Sequence, residues 1–324
     1  MPSPTPGWRS CRTWVTSRRW PHRRRWRNSY STTRRGVPDV DIGFIGTGVM
    51  GRPMAANLAA AGHRLTVHRD TPAAREALGD TVRYAASAAD ATRGSEAVVL
   101  MLPDTPDVEK VMGEVIGVLR PGTLVIDMSS ISPAAERGLA EKVAGAGGAY
   151  LDAPVSGGEI GARDGTLSIM VGGAAEAVER ARPIFEVLGA RISHIGPSGA
   201  GQVAKIANQV VVGVTIEAVA EALHLAEASD VDPLAVHSAL MGGFAASRVL
   251  EVHGLRMIKG EYEPGFRIRL HRKDLRLAAE AAEDLGTALP GASLVHGLLG
   301  TAVETGLGDH DHSALRLLRD ERAG

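Results

Sequence analysis

The stretch Ile42-Gly43-Phe44-Ile45-Gly46-Thr47-Gly48-Val49-Met50-Gly51-Arg52-Pro53 decides the fold. Ile42 to Ile45 reads as a short buried strand, and the glycine loop Gly46-Thr47-Gly48-Val49-Met50-Gly51 follows at once. Helix formers run from Pro53 to Ala61, Gly62 is a stop signal, and Leu65-Thr66-Val67 is the next strand. In that setting each glycine has a task. Gly46 permits the tight turn, Gly48 lets backbone approach a pyrophosphate, and Gly51 lets helix and strand pack closely. The helix N-terminus offers N–H groups and a partial positive charge to the phosphates. Alone, such a motif can be a turn without a ligand; the flanking strand and helix supply the context that the fingerprint requires.

The same alternation continues outward. Glu96 to Leu102 reads as a strand ended by Pro103, Asp107 to Leu119 as a helix, and Leu124 to Asp127 as a strand with Ser129-Ser130 at its C-terminal end. Ser132 is a natural N-cap and Pro133 a first-turn residue for a helix to Ala146. Tyr150-Leu151-Asp152 is a strand running into a Ser-Gly-Gly turn, and Leu167 to Val171 is another, closed by Gly172-Gly173. Strands alternating with helices argue an α/β fold with a mostly parallel, doubly wound sheet. Beyond about residue 197 the pattern changes. Val203, Ile206, Val210, Val214, Val219, Leu223 and Ala226 keep helical spacing, which predicts one long buried connector helix. Asp232-Pro233 starts another helix, and Leu275 to Leu285 marks one more. After Val171 the single strand signal is Arg191 to Ile195. The expected organisation is a Rossmann domain over 39–198 and a second, all-α domain over 199–324, preceded by a disordered extension over 1–38.

Composition bounds the function. The 324 residues are 44% hydrophobic and 23% charged, with one cysteine, Cys11, so an internal disulfide and a cysteine-based metal site are excluded. That suits a reducing cytoplasm. No apolar stretch reads as long enough to span a bilayer, and no membrane is expected as a partner. The formal charge of -1 hides an asymmetry: residues 1–36 hold ten arginines and no acidic residue, leaving 26 basic against 37 acidic residues in the rest. An acidic body is a poor nucleic-acid binder. The arginine-rich stretch also holds all four tryptophans and reads as foreign to the fold, the product of an upstream start codon taken in error, with Val37 or Val40 as the true start. Peptides from 1–36 in the natural protein's mass spectrum would refute this.

Three further features carry chemistry. The end of the second strand reads Val67-His68-Arg69-Asp70, where Arg69 suits a ribose 2′-phosphate and Asp70 a 2′-hydroxyl. The balance favours NADP, with NAD possible. Leu102, Pro103 and Ser130 lie at strand C-terminal ends, where the nucleotide crevice of such sheets opens. The run Asp152-Ala153-Pro154-Val155-Ser156-Gly157-Gly158 offers a hydroxyl and unobstructed backbone N–H groups for a carboxylate, from Ser156, Gly157 and Gly158. Lysines on helices are usually solvated. Lys205, however, lies among Val203, Ala204, Ile206 and Ala207, too apolar for an exposed face, and Asn208 shares its helix face. Lys205 is the expected proton donor and Asn208 a substrate hydrogen-bonding group. His310 and His312 with Asp309 and Asp311 look like a metal cluster, but no third well-spaced ligand is evident and no metal is expected. His224, His237, His253 and His271 read as structural.

These segments together resemble the β-hydroxyacid dehydrogenase family, which includes 3-hydroxyisobutyrate dehydrogenases and tartronate semialdehyde reductases. The likeness runs from about residue 41 to 318 and rests on Gly43 to Leu58, Asp152 to Gly158, Gly165 to Gly173, the Lys205 segment and Lys273-Asp274-Leu275. Ala207 to Val210, Pro264 to His271 and Gly306 to Leu315 look most like the tartronate semialdehyde reductase branch. The resemblance implies NAD(P)H-dependent reduction of tartronate semialdehyde to D-glycerate. It also implies that Lys273 reaches the cofactor from the helical domain, held by Asp274, and that the protein is a homodimer or homotetramer. The alternatives are another semialdehyde or hydroxyacid substrate, an imine reductase, or a nucleotide-sensing module without chemistry. The last two should lack Lys205. Gln209 stands where many relatives carry a second asparagine, and Arg269 stands where an acidic residue is expected, an extra cation that could favour a more acidic substrate.

Overall fold

The computed structural model describes residues 39–319, so the expected disorder and mis-assigned start of the arginine-rich extension lie outside the described residues. The first strand, β1 (Asp41–Ile45), leads through the glycine loop into helix α1 (Gly51–Ala60) and strand β2 (Arg64–His68). Helix α2 (Pro72–Leu78), strand β3 (Arg83–Tyr84) and helix α3 (Ala88–Thr92) precede β4 (Ala97–Leu100). Then come α4 (Thr105–Ile116), β5 (Leu124–Asp127), α5 (Pro133–Gly145) and β6 (Ala149–Asp152). The sheet is completed by β7 (Val155–Ser156), α6 (Gly158–Asp164), β8 (Leu167–Gly172), α7 (Ala175–Leu188) and β9 (Gly189–Gly196).

Strand order is β3-β2-β1-β4-β5-β6-β8-β7, with β9 paired to β8. The six strands from β3 to β6 are parallel, and β8 joins antiparallel. The order 3-2-1-4-5-6 is that of a dinucleotide-binding Rossmann sheet. Both faces are dry, and the side chains show it residue by residue. Ile42, Phe44, Val99, Ile126 and Leu151 pack on one face with α1, α6 and α7. Ile45, Val98, Leu100 and Val125 pack on the other with α3, α4 and α5. A strand buried on both sides reads as a continuous apolar run, which is why these strands were legible.

The rest of the chain is helical. It comprises α8 (Ala200–Ala228), α9 (Pro233–Met241), a π-helical turn (Leu250–Gly254) continued by α10 (Leu255–Lys259), α11 (Ile268–Asp284), α12 (Pro290–Glu304) and a 3-10 segment (His312–Arg319). Ser132 caps α5 and Asp232 caps α9, as their sequence predicts. The sequence reading places no element between Val171 and Arg191, where α7 stands with Pro183 in its interior, and none at α12.

Two expectations about α8 are corrected. It is long and apolar enough to cross a membrane by length and composition. Its buried residues, however, include Gln202, Lys205, Gln209 and Glu217, and it packs on β8, α11 and α12, which makes it a core helix. The apolar spacing marks the buried face at Ile206, Val219, Leu223 and Ala226, but Val203 and Val214 face outward.

Candidate active site

At the C-terminal ends of β1 and β4, where the strand order reverses direction, a cleft of about 650 Å³ opens. In doubly wound sheets this is where ligands bind. Every cofactor residue singled out from the sequence lines it: the loop Gly46, Thr47, Gly48, Val49, Met50 and Gly51, with Arg69, Leu102, Pro103, Ser130 and Lys273. The glycines divide their work by available space. A Cβ on Gly46 (φ +106°) would strike the Met101 carbonyl, and one on Gly51 would strike the Gly46 carbonyl. Gly48 alone has open space where its side chain would be, a cradle that a Cβ would fill. A dinucleotide pyrophosphate fits this arrangement, because only a bare backbone lets phosphate oxygens reach the N–H groups of a helix start. Thr47 pins the loop to the second strand by donating its Oγ1 hydrogen to the Arg69 carbonyl, 3.1 Å.

At the end of β2 the two candidate selectivity residues differ in their engagement. Asp70 is gripped bidentately by Arg75 at 2.8 and 2.7 Å, and Arg75 also lies over the Tyr84 ring. Arg69 is exposed at the cleft and forms no ion pair with another described residue.

The helical part closes the cleft from the far side. On α11, the Lys273 Nζ donates to the Ser130 carbonyl at 2.6 Å and the Pro103 carbonyl at 3.2 Å, and pairs with Asp274 at 3.0 Å. Arg276, one turn later, bonds Asp104 at 2.8 Å. Asp274, 2% exposed, accepts from Gln209 Nε2 at 2.6 Å, and Gln209 Oε1 accepts from Asn208 Nδ2 at 2.8 Å. Gln209, in place of the second asparagine, thus ties the Asn208 side chain to the Lys273–Asp274 pair.

Lys205 is buried on α8 at 6% exposure. Its Nζ stands over the Phe266 ring, 5.8 Å from the centroid, and Phe266, Lys273 and Asp274 all line the cleft. Burial pushes the Lys205 pKa below its ordinary value; Asp274 opposes the shift and Lys273 adds to it. The substrate turn approaches from the sheet side. Gly157 (φ +133°) and Gly158 (φ +62°) hold conformations that glycine favours, and a Cβ on Gly158 would lie 3.5 Å from the Gly265 carbonyl. Ser156 is half-buried in β7, paired with Ser168. The turn therefore meets the Pro264–Phe266 loop beneath which Lys205 lies. Phe266, Leu270 and Gln209 are cleft or network residues that the sequence reading did not assign to the site. Their signal was weak, since one aromatic in a loop is not a motif.

Behind the site lies a buried polar network. Asp127 and Asp152 end the adjacent strands β5 and β6 in register. The Tyr150 hydroxyl donates to Glu136 at 2.6 Å and lies 3.4 Å from Asp127, and Gln202 Nε2 donates to Glu136 at 2.6 Å. With no cation among them, burial pushes the Asp127 carboxyl up to about 6, and holds Glu136 well above and Asp152 above the usual carboxylate range.

The histidines form a second buried group. His312 meets not His310 but His271 (2.9 Å between Nδ1 atoms) and His253 (3.2 Å between Nε2 atoms). His253, His312 and Asp311 lie close enough to suggest a metal ligand set, with a third group that the sequence spacing did not reveal. Asp311 is already occupied by Arg256 at 3.1 Å and by the Gly265 and Phe266 amides at 2.9 and 3.1 Å. The rings pack edge-on against Phe266, so the cluster props the loop over Lys205. Arg269 pairs with Asp309 at the surface, which removes the basis for reading it as a cleft cation.

The comparisons with known proteins agree with this geometry. Residues 41–196 match the family model described as the NAD binding domain of 6-phosphogluconate dehydrogenase. Residues 199–318 match the model described as NAD-binding of NADP-dependent 3-hydroxyisobutyrate dehydrogenase. The chain is 50% identical over 277 residues to 2-hydroxy-3-oxopropionate reductase of Escherichia coli K12, covering 85% of this chain and 95% of that protein. It is 38% identical over 286 residues to 3-hydroxyisobutyrate dehydrogenase of Pseudomonas aeruginosa, covering 85% and 95%. The solved structure of Mycobacterium tuberculosis 3-hydroxyisobutyrate dehydrogenase with L-serine superposes with a TM-score of 0.81 at 33% identity, covering 86% of this chain and 99% of that one. The cleft at the switch point, the bare glycine cradle and these matches together place the chain in the β-hydroxyacid (3-hydroxyisobutyrate) dehydrogenase family, nicotinamide-dependent oxidoreductases acting on CH–OH groups.

Proposed function

We propose that this enzyme reduces 2-hydroxy-3-oxopropanoate (tartronate semialdehyde) to D-glycerate, with Lys205 as proton donor. The observation that carries the reading is a buried lysine against Phe266, which lines the cofactor cleft, in a chain half identical to 2-hydroxy-3-oxopropionate reductase. Nicotinamide, when bound, supplies the hydride to the carbonyl carbon. The Lys205 ammonium polarises the carbonyl oxygen and hands it a proton as the alkoxide forms. Ser156, Gly157 and Gly158 receive the substrate carboxylate, and Asn208 bonds the substrate hydroxyl. Lys273 bridges the Pro103 and Ser130 carbonyls to α11 and so holds the cleft closed. Exclusion of water strengthens each of these charge interactions.

The preferred cofactor is NADPH. With Asp70 held by Arg75, the 2′-position meets Arg69 rather than a carboxylate. Arg69→Ala is expected to raise the KM for NADPH about 10- to 100-fold, the scale of one lost charge-assisted contact. The KM for NADH should change little; equal losses with both would refute the assignment.

The nucleotide domain spans 39–198 and the helical substrate domain 199–324. Exposed Val211, Val214, Leu225 and Leu294 on α8 and α12 support homo-oligomerisation through the helical part. The lone cysteine suits a cytoplasmic setting. The deciding experiment is a reductive panel of tartronate, methylmalonate and succinic semialdehydes and glyoxylate with both cofactors. A higher kcat/KM for another member than for tartronate semialdehyde would reject the substrate.

A further inference from the structure

Asp152 opens the run that ends in the substrate turn, yet its carboxylate is engaged with the catalytic helix. Its Oδ1 accepts the Gly199 N–H at 2.7 Å and its Oδ2 accepts the Gln202 N–H at 3.0 Å. Gly199 is the N-cap of α8 and has no side chain to cap with; its φ of +88° also lies in the region that favours glycine. The first amides of a helix have no partner within the helix. Here a strand 47 residues earlier supplies it, with an anion at the positive end of the helix dipole.

The fit leaves no clearance. A Cβ on Gly201 would lie 2.8 Å from both the Asp152 carbonyl oxygen and its Oδ2, and would strike the Met170 carbonyl. A Cβ on Gly172 would strike Asp152 Oδ1. Gln202 adds a second attachment: its Nε2 donates to the Ser129 carbonyl at 2.8 Å and to Glu136, and its Oε1 accepts the Ile131 N–H at 3.3 Å. Lys205 follows three residues later on the same helix face. In register with Asp152, Asp127 serves the cofactor side. It accepts the Ser129 N–H at 2.9 Å, and Ser129 Oγ accepts the Leu102 N–H at 2.9 Å. Two neighbouring strand ends thus hold the nucleotide crevice and the lysine helix.

We propose that Asp152 is a positioning residue: it clamps the first turn of α8 to the sheet edge and so fixes where the Lys205 Nζ stands relative to the cofactor crevice. This rests on the proton-donor reading of Lys205. A misplacement of about 1 Å can cost on the order of 10²-fold in rate, so a clamp distant from the chemistry has leverage on kcat.

The test is a double-mutant cycle on the full chain. Asp152→Asn keeps the shape and one acceptor but presents an NH₂ group to one of the two helix amides. It should lower kcat by about 10- to 100-fold with the nucleotide Kd unchanged. In a Lys205→Ala background the same change should cost less than about twofold, because residues that act as a unit are not additive. Gln202→Met loses the second attachment while keeping volume, and should show the same non-additive loss at smaller size; it carries the cycle if Asp152→Asn is insoluble. Folded Asp152→Asn with wild-type kcat, or equal losses in both backgrounds, would overturn the clamp while leaving the lysine's role intact. Undiminished kcat in Lys205→Ala would instead remove the proton-donor reading and the clamp's catalytic meaning with it.

Discussion

Lys205→Ala is expected to lower kcat for semialdehyde reduction by about 10²- to 10⁴-fold, the usual worth of a positioned general acid, while NADPH binds as before. Nucleotide affinity read by fluorescence titration and turnover read on the same sample separate the two; a variant that turns over normally ends the proposal. The pH profile carries the same information. Burial lowers the Lys205 pKa from its ordinary 10.5. The reductive kcat should therefore fall, and the oxidative kcat rise, through a pH below that value, and Lys205→Met should lose this limb. The lowered pKa has a stability consequence of definite sign. Between the folded pKa and 10.5 the unfolded chain binds more protons, so folding stability rises with pH there. At neutral pH the buried charge is a cost, and Lys205→Met should unfold at higher temperature, by on the order of 1–3 kcal/mol. That advantage should shrink as pH approaches 10.5.

Gly51→Ala is the second large effect expected. The added methyl would overlap the Gly46 carbonyl, a backbone atom of the loop itself, and would come within 3.2 Å of the Phe44 ring edge. Neither neighbour is a flexible side-chain end that can swing away, so the loop must move off the start of α1. A loss of roughly 3 kcal/mol or more is expected from such overpacking, together with loss of nucleotide binding. Gly48→Ala makes the contrast: nothing lies within 4 Å of its Cβ position, so the fold should survive and nucleotide affinity alone should fall. Calorimetry with and without NADPH checks both. Equal thermal shifts for the two variants would refute the division of labour among the glycines.

The parts of the fold legible in the sequence were those set by local chemistry. Continuous apolar runs between turn residues gave β1, β4 and β5, because strands covered on both faces cannot afford polar positions. Ser132 and Asp232 announced their helices through capping. Segments whose signals were weak or mixed were harder. Helix α7 carries Pro183, and β3 and β7 are two residues long and draw their identity from their neighbours. Lys205 is instructive because the expectation of burial is met for a different reason from the one its neighbours suggest. Val203 and Ala207 are exposed, and the buried face is the one through Gln202, Lys205, Ile206 and Gln209, which are polar at three of four positions. Hydrophobic periodicity cannot find a face held by hydrogen bonds.

Sequence by itself determined the doubly wound sheet, the glycine cradle and the helical second half. All of these follow from spacings within about twenty residues, over which chain geometry leaves little choice. Only the tertiary structure decided what Asp152, Phe266, Gln209 and the three histidines do. Each has a partner 41 to 65 residues away in the chain, as in the 47-residue separation of Asp152 from Gly199 and the 62-residue separation of His271 from Gln209. Long-range pairing of buried polar groups is fixed by packing, because each group must find its partner once water is excluded.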